Sequence, residues 1–367
     1  MQRVISLSLP FNKSLVNTIL LYNDICNLHI QKSLELRSLS KSLLHQSLYK
    51  YIRDKYPSFS SALIQCARDN AVEILRSNKS QPHTLKKKYS SIRFDLRTCK
   101  VFLESGQLSI TTIDGRKKFN LDIPSYFSKY FSWKVKGLTL GYKKGHFLLK
   151  VIVEGDRVSP VDNNAVLGID LGLKNFAVMS NGFFVKSNKL RTIKRKYSYL
   201  RRRLQSCGTR SARRKLKRLS ERERRFMRDF NHSLSKQVVE LDYRCFALED
   251  LKGIRKGRKG KRFNRMRSNW AYYQFRQFLS YKAEDRGKEI ILVEPYYTSQ
   301  QCSSCSYIAK ENRNKGQFSC KNCSFSISAD LNASINISRK GLDLFEQAVV
   351  NQPIVTIDER QRIRSRY

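Results

Sequence analysis

With 367 residues, 40% of them apolar, the chain is long enough for two or three domains with real hydrophobic cores, and collagen-like, coiled-coil and prion-like classes are excluded. Seventy-two Lys and Arg against 30 Asp and Glu give a formal charge of +42, a self-repulsion that calls for a polyanion as the normal partner, so nucleic acid is the first candidate. An anionic membrane surface is the competing partner, but the sequence has no apolar run of about 18 residues, no signal peptide and no lipidation signal, so no membrane is expected.

The first ten residues, MQRVISLSLP, alternate like a short strand. From about Asn12 to Ser77 apolar residues recur at helical spacing, as in SLVNTILLYNDICNLHI and SALIQCARDNAVEIL, which predicts a small helical unit broken near Pro57. From about Ser90 to Glu154 the pattern shifts to short alternating stretches with Ser-Gly, Asp-Gly and Lys-Gly turns, which predicts an antiparallel β-barrel or sandwich. The loop GDRVSPVDNNA is the expected domain boundary.

Past it, VLGIDLGLKNFAVMSNGFFV reads as a strand, a tight turn after Asp170, a second strand and an Asn-Gly hairpin. A long basic helical region follows from about Lys186 to Glu240, with 19 Lys or Arg and two Glu between Lys186 and Arg228, too biased for an ordinary solvated face. RCFALEDL is a buried strand ending in acid. After the basic loop KGIRKGRKGKRFNRMRS come a helix carrying Trp270 to Arg286 and another apolar strand, EIILVEP. The stretch from about Gly341 onward carries no legible motif.

This order of strands and helices is an α/β pattern on a mixed sheet, in which chemistry sits at strand ends. Three acids fall at such places: Asp170 on the first strand, Glu249 at the end of CFALED, and Asp330 at the start of the helix ADLNASINI. They are 79 and 81 residues apart, so only folding could unite them. Divalent-metal phosphoryl transfer uses such a trio, because Mg²⁺ or Mn²⁺ prefers carboxylate oxygens. Singly, each has a plainer reading: Asp170 as a turn residue, Glu249 as an exposed strand end beside the turn residue Asp250, Asp330 as a helix-capping acid. Jointly, in so basic a chain, they point to a nuclease-like site. GIDLGLKN could instead be the phosphate loop of an actin-like ATPase, but no second Asp-x-Gly loop or Walker motif accompanies it, and it leaves the charge unexplained.

Of nine cysteines, Cys26, Cys66, Cys99, Cys207 and Cys245 are scattered and read as reduced structural residues, which implies a cytoplasmic setting, nucleoid-associated if the host is prokaryotic. Cys302, Cys305, Cys320 and Cys323 form a C-x2-C-x14-C-x2-C array suited to a closed, structural Zn²⁺ site. Two disulfides or a redox site are the alternatives. A metal there would fold the insert and hold the next helix, with Asp330, against the sheet.

In order, GIDLGLKNFAV, ALEDLKG, VEPYYTSQQCSSC and FSCKNCSFSISADLNASINI resemble the TnpB (OrfB) proteins of insertion sequences, relatives of type V CRISPR effectors. The likeness covers roughly Val166 to Arg339, and the N-terminal half agrees in layout only. It implies an α+β multidomain fold: an N-terminal β-barrel wedge (1–11 and 84–160) with an inserted helical recognition domain (12–83), then an RNase H-like (RuvC) α/β nuclease domain (161–298 and 326–340) with an inserted zinc ribbon (299–325), and a C-terminal tail (341–367). It also implies an RNA-guided DNA endonuclease that binds a guide RNA and double- and single-stranded DNA, needs Mg²⁺ or Mn²⁺ and Zn²⁺ but no small-molecule cofactor, and uses Asp170, Glu249 and Asp330 for catalysis. A DNA strand-transfer transposase with the same acids, and a nuclease-inactive nucleic-acid-binding relative, are the alternatives.

Two departures stand out. The family's usual Gly after each Cys pair is Ser306 and Ser324, which predicts knuckle turns that are either strained or differently shaped, with the cysteine ligands unaffected. The Arg common before the second pair is displaced, with Arg313 or Lys315 as the candidate substitutes. Basic residues interleaved with aromatics in TLKKKYSSIR, KVKG and GYKKGH suit RNA or flanking-DNA contacts.

Overall fold

The structure is a computed structural model that describes residues 1–78, 85–143, 145–251 and 272–350, without the side chains of 348–350. The basic loop expected after Glu249, Trp270 and the end of the chain lie outside the described residues. The chain forms two compact units, Met1–Asp156 and Arg157–Tyr367. Among the described residues no helix is long and apolar enough to cross a membrane.

In the first unit, β1 (Gln2–Leu9) leads into three helices, α1 (Lys13–Glu35), α2 (Lys41–Lys55) and α3 (Ser61–Ser77). Asn12 and Ser40 cap the first two by accepting the Leu15 and Leu43 N–H groups. Six strands follow: β2 (Ile92–Phe94), β3 (Cys99–Phe102), β4 (Gln107–Thr112), β5 (Gly115–Asn120), β6 (Lys134–Lys143) and β7 (His146–Glu154). β1 pairs antiparallel with β7 from Gln2↔Glu154 to Leu9↔Phe147, and the three helices link β1 to β2, the two edge strands of that sheet.

The β-rich part, expected as an antiparallel barrel or sandwich, forms two antiparallel sheets, ordered β1-β7-β6-β2 and β3-β4-β5. Asp95 separates them. Its carboxylate accepts the Arg97 and Thr98 N–H groups, turning the chain sharply after β2 and sending β3 into the second sheet. The helices have no core of their own. Leu15, Ile19, Tyr22 and Ile30 of α1 share one apolar cluster with Ile5, Phe94, Leu108 and Val151 of the strands. The Tyr22 hydroxyl donates to the Cys66 carbonyl, tying α1 to α3.

The second unit is built on a five-stranded sheet. Its strands are β8 (Val166–Asp170), β9 (Asn175–Met179), β10 (Phe184–Lys186), β11 (Cys245–Glu249) and β12 (Glu289–Val293), in the order β10-β9-β8-β11-β12. The first three are antiparallel; β11 runs parallel to both β8 and β12, so the sheet is mixed, as the element order predicts. The basic region is two helices, α4 (Asn188–Ser206) and α5 (Arg210–Glu240). Gly208, at φ +61°, makes the left-handed break, and Thr209 caps α5 by accepting the Ala212 N–H. The first half of α5 buries only Ala212, whereas its second half sinks Met227, Leu234, Val238 and Val239 into the core. Next come α6 (Tyr272–Glu284), the short strands β13 (Arg313–Asn314), β14 (Gln317–Ser319) and β15 (Ser326–Ser328), and α7 (Ala329–Val350).

Strand alternation divides the two faces of this sheet. Leu167, Ile169, Phe246 and Leu248 pack with Leu234, Phe275 and Leu279 of α5 and α6. Val166, Cys245 and Ala247 pack with Ile337 and Phe345 of α7. α7 lies almost on the strands: a Cβ at Gly341 would stand 2.4 Å from the Ala247 Cβ, and the Ser338 hydroxyl donates to the Val166 carbonyl at 2.7 Å. α7 runs on through Gly341, where the sequence carries no legible motif, and this glycine lets the helix approach the strands.

Candidate active site and metal centre

Gly168 and Ala247 are register partners on the parallel strands β8 and β11 and both face α7. Side chains two residues on share that face, so Asp170 and Glu249, the last residues of their strands, point to the side on which α7 lies. Asp330 stands in the first turn of α7, where the helix dipole favours negative charge. Asp250, one residue past Glu249, pairs with Arg276 of α6, the helix on the other face.

Asp170 feels the other two acids. Burial first, then the charges of Glu249 and Asp330, push the Asp170 carboxyl up to about 7, against the opposing pull of Arg313. Burial also raises Glu249, while the Thr298 hydroxyl, donating to its Oε1 at 2.6 Å, pulls the other way. Asp330 is held at both oxygens: the Asn175 amide donates to Oδ2 at 2.9 Å and the Arg313 guanidinium to Oδ1 at 3.3 Å. The Tyr272 hydroxyl is raised by burial and then by Asp170, Asp330 and Glu249, which sets it beside the cluster. Of these neighbours only Arg313 has a signal in the sequence, as a candidate replacement for a displaced arginine. Asn175, Thr298 and Tyr272 carry no local signal.

Half-buried, crowded carboxylates, of which Asp170 and Glu249 are pushed toward their protonated forms chiefly by burial, suit a hard cation, whose charge would relieve the crowding and whose preference is for oxygen. They are not drawn as tight as the cysteines. Among the described residues, the four-cysteine group alone brings three or more ligand atoms within 4.8 Å of one another.

That second cluster is formed by Cys302, Cys305, Cys320 and Cys323. The sulfurs of Cys302 and Cys323 are 3.8 Å apart and those of Cys305 and Cys320 3.6 Å. Four thiolates at about 2.3 Å from a tetrahedral Zn²⁺ would be separated by about 3.8 Å, so the donor set fits that ion and no disulfide is formed. The two knuckles repeat one geometry: Ser306 N–H donates to the Cys302 carbonyl and Ser324 N–H to the Cys320 carbonyl. The backbone N–H groups of Ser304 and Asn322 point at the Cys302 and Cys320 sulfurs, at 3.3 and 3.4 Å. Ser306 and Ser324 are left-handed, at φ +64° and +57°, so the serines hold the conformation that glycine adopts without strain.

Two family patterns match this chain: the one described as "Probable transposase" (OrfB, IS605 type) over residues 149–253, and the "Cas12f1-like, TNB domain" over residues 272–337. A TnpB-like protein of Methanocaldococcus jannaschii is 28% identical over 260 residues, covering 64% of this chain and 91% of that protein. The chain is similar to the TnpB (OrfB) proteins. It is also 25% identical over 335 residues to the protein named "Putative RNA-guided DNA endonuclease InsQ" of Escherichia coli, across 81% of this chain and 83% of that one. It is 31% identical over 204 residues to the CRISPR-associated endodeoxyribonuclease Cas12f1 of Sulfoacidibacillus thermotolerans, covering 50% of this chain. Of that Cas12f1 it spans about half, 47%.

Proposed function

We propose that the protein is an RNA-guided DNA endonuclease that hydrolyses phosphodiesters at a site formed by Asp170, Glu249 and Asp330. The observation that carries this reading is the shared face: two strand-end acids and one helix-start acid, far apart in sequence, come to one side of the sheet, where burial and then the charges of Glu249 and Asp330 push the Asp170 carboxyl up to about 7. The relatives named above supply the reaction class, and the charge of +42 supplies the polyanionic partner.

Asp170, Glu249 and Asp330 would hold Mg²⁺ or Mn²⁺. Such ions, when bound, supply an activated water and stabilise the departing oxygen. The chain's own part is to keep the carboxylates aligned and dry. Asn175 orients Asp330, and Arg313 places a positive charge where a scissile phosphate would approach. Cys302, Cys305, Cys320 and Cys323 would hold Zn²⁺ as a closed structural centre, a zinc ribbon that fixes Arg313 beside Asp330. Residues 1–11 and 84–160 would serve as the wedge and the inserted helices (12–83) as the recognition element. Residues 161–298 and 326–340 would form the nuclease domain. Sequence choice would come from base pairing of the guide, and the protein would bind the heteroduplex by shape and backbone.

The test loads the full chain with either of two guide RNAs and offers both matching DNA targets. Cleavage should follow the guide, require Mg²⁺ or Mn²⁺, and vanish in Asp170→Ala, Glu249→Ala and Asp330→Ala proteins that still bind RNA. Cuts confined to one DNA sequence whatever the guide, with joining of the ends, would favour strand transfer instead.

A further inference from the structure

α7 carries more than Asp330. Two and six residues further along, its Asn332 and Asn336 are buried, at 0% and 3% exposure. Buried amides must find partners, and these find the backbone that leads into the cysteine centre. Asn332 donates to the Gln301 carbonyl at 2.8 Å and accepts the Ser303 N–H at 2.9 Å. Asn336 spends both amide protons, one on the Thr298 carbonyl at 3.0 Å and one on the Gln301 carbonyl at 2.7 Å. The segment from Thr298 to Ser303 is thereby clipped to the helix that bears the third acid.

Thr298 is the outlet of this clip. It is 2% exposed, and its hydroxyl reaches the Glu249 Oε1 at 2.6 Å and the Pro295 carbonyl at 3.2 Å. One hydroxyl has one proton. The shorter contact, to an acid, is the stronger bond, so the proton goes to Glu249 and Oε2 is left for a cation.

We infer that Thr298 is a positioning residue for Glu249, held in place by Asn336 so that the strand-end acid and Asp330 are aligned from one helix. The inference rests on the reading of the three acids as a divalent-cation site. Outer partners that orient metal-binding carboxylates typically change cation affinity or activity by about 10–100-fold when removed. Thr298 acts through the acid rather than on the substrate.

The experiment compares Thr298→Val, Thr298→Ser and Glu249→Gln in the full chain with its guide RNA. Mn²⁺ binding is followed by electron paramagnetic resonance without DNA, and the Mn²⁺ needed for half-maximal cleavage is measured with DNA. Thr298→Val, which keeps the shape and loses the donor, should weaken both about tenfold or more while zinc content and the thermal midpoint stay at wild type. Thr298→Ser, which keeps the donor, should stay within about threefold of wild type. If Thr298→Val matches wild type while Glu249→Gln abolishes Mn²⁺ binding, Thr298 positions nothing and the inference fails alone. If Glu249→Gln also leaves Mn²⁺ binding and cleavage intact, the three-acid site itself is wrong. Loss of zinc or of the thermal transition in both Thr298 variants would make the residue a folding element and overturn the assignment.

Discussion

Gly168 lies against the backbone of Ser334 so closely that a Cβ on it would stand 2.0 Å from the Ser334 carbonyl oxygen, and 2.4 Å from the Ser338 nitrogen. Neither neighbour is the free end of a side chain, so nothing can swing aside. Gly168→Ala must lift α7 from the sheet, and Asp330 moves with it. Overpacking of this kind costs about 1–3 kcal/mol. The variant should show a lower thermal midpoint and weak cleavage with RNA binding retained; unchanged activity would mean that the helix need not sit so close.

The knuckle serines predict a gain rather than a loss. A left-handed residue with a Cβ is strained by about 1–2 kcal/mol, part of which glycine gives back through its freer unfolded chain. Ser306→Gly and Ser324→Gly should each slow zinc release to a chelator, by up to about 1 kcal/mol in barrier or stability. Faster release from either variant would show that the serine side chains hold the turns.

His29 sets an acid limit on the first unit. It is 1% exposed and neither ring nitrogen has a hydrogen-bond partner. Burial, helped by Arg68 and His45, pushes its pKa down to about 4. Unfolded histidine titrates near ~6.5, so between these values the unfolded chain takes up the proton first. Stability is therefore full above about pH 6.5 and falls as pH drops toward 4, by up to about 3 kcal/mol. Urea unfolding of the His29→Leu chain should show a shallower dependence of stability on pH in this window, and an unchanged dependence would assign the acid sensitivity elsewhere.

Salt should weaken nucleic-acid binding steeply. With about six to ten phosphate contacts, affinity for duplex DNA should drop about 10³–10⁵-fold between roughly 50 and 200 mM salt. Arg213, Arg214 and Lys217 are exposed on the half of α5 that buries almost nothing. Replacing all three with alanine should reduce the slope of log affinity against log salt by roughly one for every phosphate no longer neutralised. A slope equal to wild type would place the nucleic acid on another face.

The positions of Asp170, Glu249 and Asp330 at element ends were legible because VLGID and CFALE read as apolar strands ending in acid and ADLNASINI as a helix beginning with one. Their partners were not. Thr298, Asn175 and Tyr272 are ordinary polar or aromatic residues until the fold sets them against a carboxylate. Arg313 was half-visible, as a replacement for a displaced arginine, and its pairing with Asp330 needed the cysteine hairpin to be folded. The break in the basic region was written in the sequence as Gly208 followed by Thr209, a helix stop before a cap, but the uninterrupted charge around it concealed the signal. Alternation of short strands identified β structure in the first unit yet not its closure, because a single turn at Asp95 decides which sheet β3 joins.

α7 is the last described element of the chain, and it covers the sheet face formed by Val166, Cys245 and Ala247. On the ribosome, a nascent chain that has completed every strand of the sheet still shows that apolar face bare and has two acids without their third. Neither the covering nor Asp330 arrives until α7 itself has been made. The proposed hydrolytic centre is therefore assembled only after the strands and basic helices have emerged, and a product terminated ahead of α7 would have the helices suited to gripping nucleic acid without the means to cut it.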